Sequence, residues 1–394
     1  MKKISYCIVS HTVISKNNID NAGPAHTISY YLEKQQQPFL FIRHSIYLEG
    51  VTLVTYFDGI SKKEEVIPYK VIFGEIGARI WEGWLTFKLI SRFLDKDQPV
   101  YIGVDPLNTV WGLLLKKLRR VKMLIAFSPD YTKSRYSNAF LNMLYHFLDK
   151  LTVRNADLVL AVSNRILDIR RSDGISDNKL IWLPNSPSIA RTRHLVSKVV
   201  NPFKLIVVST RKSVDEFTML LNAIGNLSKE FPGIKLTFVC LPIMEKELKA
   251  LVKKRRLDHN ITFLGAMSHD KLFRTIADYG IGIAFYINSY PGEYYIDSMK
   301  ARDYLALGLP VIISGDNGTA EDIEKNKAGL HINANEKELV KAIRELIVNK
   351  QLYSEFRVNA LKLAKVRDSE RVLDELFNKI NINSSIYYKN NILN

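Results

Sequence analysis

The sequence predicts an α/β chain built from two doubly wound domains. Three observations carry that expectation. Short apolar runs of strand length alternate with helical stretches in both halves of the chain. The stretch from Ile281 to Gly318 reads as strand, loop, helix and strand, the unit of a parallel sheet. A polar run, Ser188 to Asn201, separates the halves after Asn185-Ser186-Pro187. At 394 residues the chain is long enough for two cores.

The first half opens with a strand, Ile4 to Ser10, followed by a polar loop from His11 to Asn21. Ala22-Gly23-Pro24-Ala25-His26 then starts a helix reaching about Gln35; Gly and Pro there suit a tight turn and a close approach of ligand to backbone. Phe39–Ile46 and Val51–Phe57 read as strands. Arg79–Leu94 has helical periodicity, and its Trp81, Trp84, Phe87 and Leu94 are expected in the core. Strand Tyr101–Val104 leads to a helix, Leu107–Leu118. Strand Met123–Phe127 ends at Ser128-Pro129-Asp130-Tyr131, where Asp130 is either turn chemistry or a functional carboxylate. Arg135 stands close enough in sequence to pair with it. A helix from Ser137 to Arg154 carries Leu141, Leu144, Tyr145 and Leu148 on one stripe, and strand Leu158–Val162 follows.

The second half repeats the rhythm. Strand Phe203–Val208 ends in Ser209-Thr210-Arg211-Lys212; two cations beside a helix start suit a pyrophosphate, and equally an exposed loop. Helix Phe217–Leu227, strand Lys235–Cys240, helix Glu245–Arg256 and strand Ile261–Leu264 come next, with Ser268 as an N-cap. In the Ile281–Gly318 unit, Ser298 caps a helix, Gly308 ends it in the left-handed conformation, Pro310 blocks its continuation, and Val311-Ile312-Ile313 is buried strand. Lys300 and Asp303 share one face of that helix, as a surface ion pair or as ligand groups at the carboxyl end of a strand. Helices Glu336–Val348, Leu352–Ala364 and Ser369–Ile380 follow, then a polar tail expected to be loosely held.

Composition narrows the classes. Apolar residues at 47% and charged residues at 24% are ordinary for a globular protein. Two cysteines, Cys7 and Cys240, sit inside apolar runs, which disfavours a disulfide framework and favours a reducing compartment. The N-terminal apolar run is too short for a signal peptide, and no stretch approaches a membrane span. A net charge of +16 favours anionic partners: nucleotide phosphates, anionic lipid or nucleic acid, or it serves solubility. Leu113–Arg120, leucines running into Lys116, Lys117, Arg119 and Arg120, suits an interfacial helix or a core helix with a basic end. No groove-reading motif or aromatic–basic interleaving points to nucleic acid.

The segment Lys-x-x-Asp-Tyr-Leu-Ala-x-Gly-x-Pro-Val-Ile, from Lys300 to Ile312, resembles the donor site of GT-B glycosyltransferases, especially the retaining family 4. "RNADLVLAVSNRI" and "FLGAMSHDKLFRTIADYGIGIAF" resemble the same family. The resemblance implies two Rossmann-like domains facing a central cleft. Their expected bounds are 1–187 for the acceptor-side domain, 188–202 for a linker and 203–368 for the nucleotide-sugar domain. Residues 369–380 would form a helix crossing back, and 381–394 a tail.

It further implies sugar transfer from a nucleotide-diphosphate sugar to a glycan or lipid-linked acceptor, with no cofactor and no metal. Asp303 would hold the ribose; Arg211 and Lys212 would neutralise the diphosphate, with Ser298, Lys300 and Glu293 beside it. Gly23, His26, Asp130 and Arg135 would serve the acceptor side, with Asp130 near the reacting sugar. Two positions depart from the family: Tyr295 stands where a second acid is usual, and Glu216 where a lysine is usual. A sugar-nucleotide epimerase of the same fold and a catalytically degenerate partner subunit stand as alternatives. The expected location is cytoplasmic, either free or peripheral at the inner face of the membrane.

Overall fold

Apolar strands form the centres of two sheets. The structure, a computed structural model, describes residues 5–14, 23–46, 50–71, 74–93, 98–198, 200–209, 215–240, 242–265, 267–287 and 291–392. The chain divides into two units: Met1–Leu183 with Val372–Asn394, and Pro184–Arg371.

Unit 1 runs β1 (Tyr6–Thr12), α1 (Pro24–Lys34), β2 (Phe39–Ser45), β3 (Val51–Phe57), β4 (Lys62–Pro68), α2 (Gly74–Phe93), β5 (Val100–Val104), α3 (Pro106–Lys117), β6 (Met123–Ser128), α4 (Ala139–Asn155), β7 (Leu158–Ala161), α5 (Asn164–Ser172) and β8 (Leu180–Trp182). The sheet order is β4-β3-β2-β1-β5-β6-β7-β8. β1 pairs in parallel with both β2 and β5, so the winding reverses there. β3 and β4 are antiparallel additions. β4, KKEEVIP, is almost wholly exposed at the sheet edge, where charge discourages pairing with another chain. A search for apolar runs passes over it for that reason. Right-handed crossovers place α1 on one face of the sheet and α2 to α5 on the other.

Three sequence expectations change in unit 1. His11 and Thr12 belong to β1 rather than to a loop. Trp81 and Trp84 are 43% and 46% exposed, so this pair is not core; α2 instead buries Ala78, Glu82, Leu85, Thr86, Leu89 and Ile90. Phe87 is half-buried, and Leu94 lies outside the described residues. On α4 the stripe is displaced: Leu144 is exposed, while Asp149, Thr152 and Val153 are buried.

Unit 2 runs α6 (Ile189–Thr192), β9 (Lys204–Ser209), α7 (Asp215–Glu230), β10 (Lys235–Cys240), α8 (Pro242–Lys254), β11 (Ile261–Gly265), α9 (His269–Ile276), β12 (Ile281–Ala284), α10 (Met299–Ala306), β13 (Val311–Ser314), α11 (Gly318–Lys325), β14 (Gly329–Ile332), α12 (Glu336–Val348) and α13 (Lys350–Val366). The sheet is parallel throughout, in the order β11-β10-β9-β12-β13-β14, with its switch point between β9 and β12. Strand periodicity divides the core: Leu205 and Val207 join one apolar cluster, Ile206 the other. Each such buried side chain contributes about 1.5–3 kcal/mol.

α14 (Ser369–Ile392) begins in unit 2, and from Val372 onward it belongs to unit 1. There Phe377 stacks on Tyr31 and meets Tyr6 edge-on, both at 5.1 Å. The tail from Asn381, expected to be loose, continues this helix to Ile392.

Candidate functional site

In unit 2 the site is built around α10. Ser298 caps the helix, its Oγ accepting from Ala301 N–H at 3.3 Å. Ser298 is held in turn by Tyr286 Oη at 2.7 Å and by Thr319 Oγ1, which accepts from its backbone N–H at 2.8 Å. Gly308 follows the helix with φ of 75°, and Leu309 N–H returns to Tyr304 carbonyl at 3.0 Å. Tyr304 lies flat on Gly282, where a Cβ would fall 2.3 Å from the ring, and its Oη accepts from Val208 N–H at 2.9 Å. This contact fixes α10 over β9 and β12, and so fixes the residue before it, Asp303.

Asp303 is 4% exposed. Its Oδ2 meets His269 Nε2 at 3.1 Å, from the first turn of α9. Burial raises Asp303 above the usual carboxylate range, and the bond to His269 offsets only part of this. Burial pulls His269 down, but the hydrogen bond and charge of Asp303 outweigh it, so the imidazole is raised. Lys300 Nζ lies 4.4 Å from the centre of the Tyr286 ring. Glu293 is buried in the turn Pro291–Tyr295 ahead of α10, and Tyr295, standing where the acid was expected, is 7% exposed. Arg211, Lys212 and their neighbours to Val214 lie outside the described residues.

Beneath this helix lies an ion network that sequence reasoning missed. Arg302, 2% exposed, donates to Asp297 at 2.8 Å and to Asp322 at 2.6 Å. Arg367 adds two bonds to Asp322, at 2.8 and 3.0 Å, and Thr319 donates to Asp297 at 2.9 Å. Burial pushes Asp322 up, but the bonds from Arg367 and the charge of Arg302 hold it below the usual range. The network ties the start of α10 to α11 and α13. An arginine inside a helix normally reads as surface, so nothing in the pattern marks it.

Unit 1 carries the acceptor-side candidates. Gly23 is the N-cap position of α1, and its N–H donates to His26 Nδ1 at 2.9 Å. Asp130 follows β6 and takes a forked pair of bonds from Arg135, at 2.8 and 3.2 Å. Arg135 also lies 5.4 Å over the Tyr145 ring. Asp130, Arg135, Tyr145 and Arg170 line a hollow with Pro106 and Tyr131, and Gly23 and His26 are not part of its lining. Arg170 is buried, forked onto Asp149 at 2.6 and 2.9 Å and bonded to Ser128 at 2.8 Å.

A second buried network, also missed, sits where the winding of unit 1 reverses. His11 Nδ1 meets Asp105 Oδ2 at 2.7 Å, and Nε2 meets Glu82 Oε2 at 3.1 Å. Arg79 and Tyr69 also bond Glu82, at 2.9 and 2.5 Å. Burial pulls His11 down, yet the charge of Asp105 and the bonds to both carboxylates raise it to about 9. Glu82 is pushed up by burial and brought down to about 2 by its bond from His11 and by the surrounding cations. Neighbouring His44, bonded to Thr52 and Thr86 at 2.9 Å, is driven by burial to about 3 and stays neutral. Asp105 takes φ of 74°, a strained value for a side-chain-bearing residue, while its Oδ1 caps α3 through Asn108 N–H at 3.0 Å.

Two doubly wound units of these topologies, with an Asp-bearing helix ahead of a Gly-x-Pro turn, define the class of GT-B glycosyltransferases. Within that class, residues 192–363 match the family described as glycosyl transferases group 1, a match confined to the second unit. Solved structures agree on the fold over nearly the whole length. Sucrose-phosphate synthase from Thermosynechococcus elongatus superposes with a TM-score of 0.67 at 13% identity, covering 96% of this chain and 99% of that one. A glycosyltransferase from Rickettsia africae gives 0.66 at 14%, covering 98% and 99%. Anabaena Alr3699/HepE, solved in complex with UDP, gives 0.69 at 16%, covering 97% and 100%. At such identities the likeness is one of fold. No curated protein matches the sequence.

Proposed function

We propose that this chain moves a sugar from a nucleotide-diphosphate sugar to the hydroxyl of a glycan or lipid-linked saccharide, with retention and without a metal. One observation carries the reading: within the group 1 match, α10 presents a buried, His-paired carboxylate, Asp303, beside a capped helix start. A carboxylate so placed accepts the two hydrogen bonds of a ribose diol. The α10 start, Lys300, Arg211 and Lys212 offset the charge of the diphosphate. As the bond from the anomeric carbon to phosphate oxygen breaks, the acceptor oxygen forms the new bond to that carbon. Its proton passes to the departing phosphate, so no strong protein base is needed. Asp130, Arg135, Gly23 and His26 orient the acceptor in this reading. The donor is UDP-linked by analogy with Alr3699/HepE. Buried cysteines and the basic charge support a cytoplasmic enzyme at the inner membrane face, in polysaccharide assembly. Among the described residues no helix is long and apolar enough to cross a membrane.

Incubation with radiolabelled UDP-, GDP- and ADP-sugars and a glycan or lipid-linked acceptor tests this. Label transferred to acceptor is the expected result. An isomerised donor would make the chain an epimerase. Nucleotide binding without turnover would favour the degenerate subunit, in keeping with Tyr295 at the usual acid position.

A further inference from the structure

We infer that the outer face of α2, α3 and α4 docks unit 1 on an anionic bilayer surface. The three helices follow one another on the same face of the sheet. Trp111 of α3 lies against Gly83 of α2, where a Cβ would fall 1.8 Å from the indole, so the two helices meet closely. α3 packs along α4 in the same layer. All three turn apolar side chains outward. On α2 these are Ile80, Trp81 and Trp84, each 43–60% exposed. On α3 they are Leu114 and Leu118, at 42% and 54%. On α4, Phe140, Met143 and Phe147, at 60–65%, fall at helical spacing along one face. Large apolar side chains turned outward on three neighbouring helices are the raw material of an interaction site.

Charge selects the occupant. The exposed charged positions on these helices are Lys88, Arg92, Lys117, Lys150 and Arg154 against a single exposed acid, Glu75; Arg92 pairs with Glu65 and Lys150 with Asp173, and Arg119 and Arg120 follow α3 directly. Lys88 Nζ stands 5.1 Å over the Trp84 ring, and the Trp81 and Trp84 rings are 4.7 Å apart. Tryptophan, phenylalanine and leucine amid lysine and arginine is the composition of helices that lie in the headgroup region. Anionic headgroups answer the cations while the rings reach the acyl boundary. A second copy of this face would set like charges against each other across a two-fold axis. The inference deepens the proposed function and rests on it for the meaning of docking, which is access to a lipid-linked acceptor; the docking is testable apart from it.

The test is co-sedimentation of the full chain with phosphatidylcholine vesicles, with and without phosphatidylglycerol, alongside calorimetry with UDP. The wild type is expected to pellet with the anionic vesicles, at least tenfold less with phosphatidylcholine alone, and to be released by salt. The double variant Trp84→Ser/Phe147→Ser is expected to lose vesicle binding at least tenfold with unchanged UDP affinity and melting temperature. Lys117→Glu/Arg120→Glu is expected to lose the preference for anionic lipid. Failure of the wild type to bind anionic vesicles, or undiminished binding by Trp84→Ser/Phe147→Ser, overturns the inference. So does a dimer in solution that Phe147→Ser dissolves, which would make the face a self-interface. Vesicle binding without any nucleotide binding leaves the docking intact and overturns the transferase reading.

Discussion

Each unit pairs a histidine with an aspartate, and the two aspartates shift in opposite directions. In unit 1, His11 is clamped between Asp105 and Glu82, and the carboxylates are held below their usual range. In unit 2, His269 has one carboxylate partner, Asp303, and that carboxylate is raised. The difference lies in the count of charges that answer one another. Unit 1 has two acids against His11 and Arg79, a closed account that braces the ends of β1 and β5. In unit 2 the hydrogen bond and charge of His269 offset only part of the effect of burial on Asp303. One pair lies inside a wider ion network and the other stands with a single hydrogen bond between its members, although both read in sequence as an isolated His and a distant Asp.

Four measurements break or sharpen this contrast. Replacing His11 by Ala takes the histidine from between two buried carboxylates, leaving Asp105 to Asn108 and Glu82 to Arg79 and Tyr69, and the expected cost is about 3–5 kcal/mol in denaturant unfolding. A cost under about 1 kcal/mol would show that the unit 1 pair braces nothing. Replacing Asp303 by Ala removes an acceptor of charge-assisted bonds, worth about 1.5–3 kcal/mol, so UDP affinity should fall at least tenfold in calorimetry while the melting temperature holds. Unchanged affinity would sink the ribose assignment.

The third is a pH series. His11 rises from 6.5 when unfolded to about 9 when folded. Its contribution is therefore full below about pH 6.5 and is lost as pH climbs through about 9. Wild-type stability should fall by on the order of 1–3 kcal/mol across that window, and the fall should vanish in His11→Gln. Glu82, Asp105, Arg79, Tyr69 and His44 surround the ring; Glu82 titrates near 2 and His44 near 3, clear of the window. The smallest effect is expected from His269→Gln, about 1 kcal/mol or less, because the ring is 24% exposed and water can replace it.

Much of the fold was legible because its strands are apolar runs and its helices carry explicit stops. Ser298, Gly308 and Pro310 alone delimit α10 correctly. β4 was illegible because an edge strand advertises charge rather than apolar residues. Trp81 and Trp84 misled because helical spacing of aromatics shows that a helix has an apolar face, not which way that face looks. Of the candidate site, Lys300 and Asp303 could be placed on one helix from spacing. The partner of Asp303 could not, since His269 lies 34 residues away and meets it only through the packing of α9 beside α10. Arg302 and Arg170 were invisible for another reason: composition counts them as surface charge, whereas each is anchored by aspartates inside its unit.

The passage of α14 from one unit to the other has a consequence for synthesis. The eight strands of unit 1 have all left the ribosome by Trp182, yet the segment that stacks Phe377 on Tyr31 starts only at Val372. At about 5–20 residues per second, translation of the intervening unit takes roughly ten to forty seconds. Throughout that interval Tyr6 and Tyr31 lack their aromatic cover. The first unit is thus completed only by the last helix to be made.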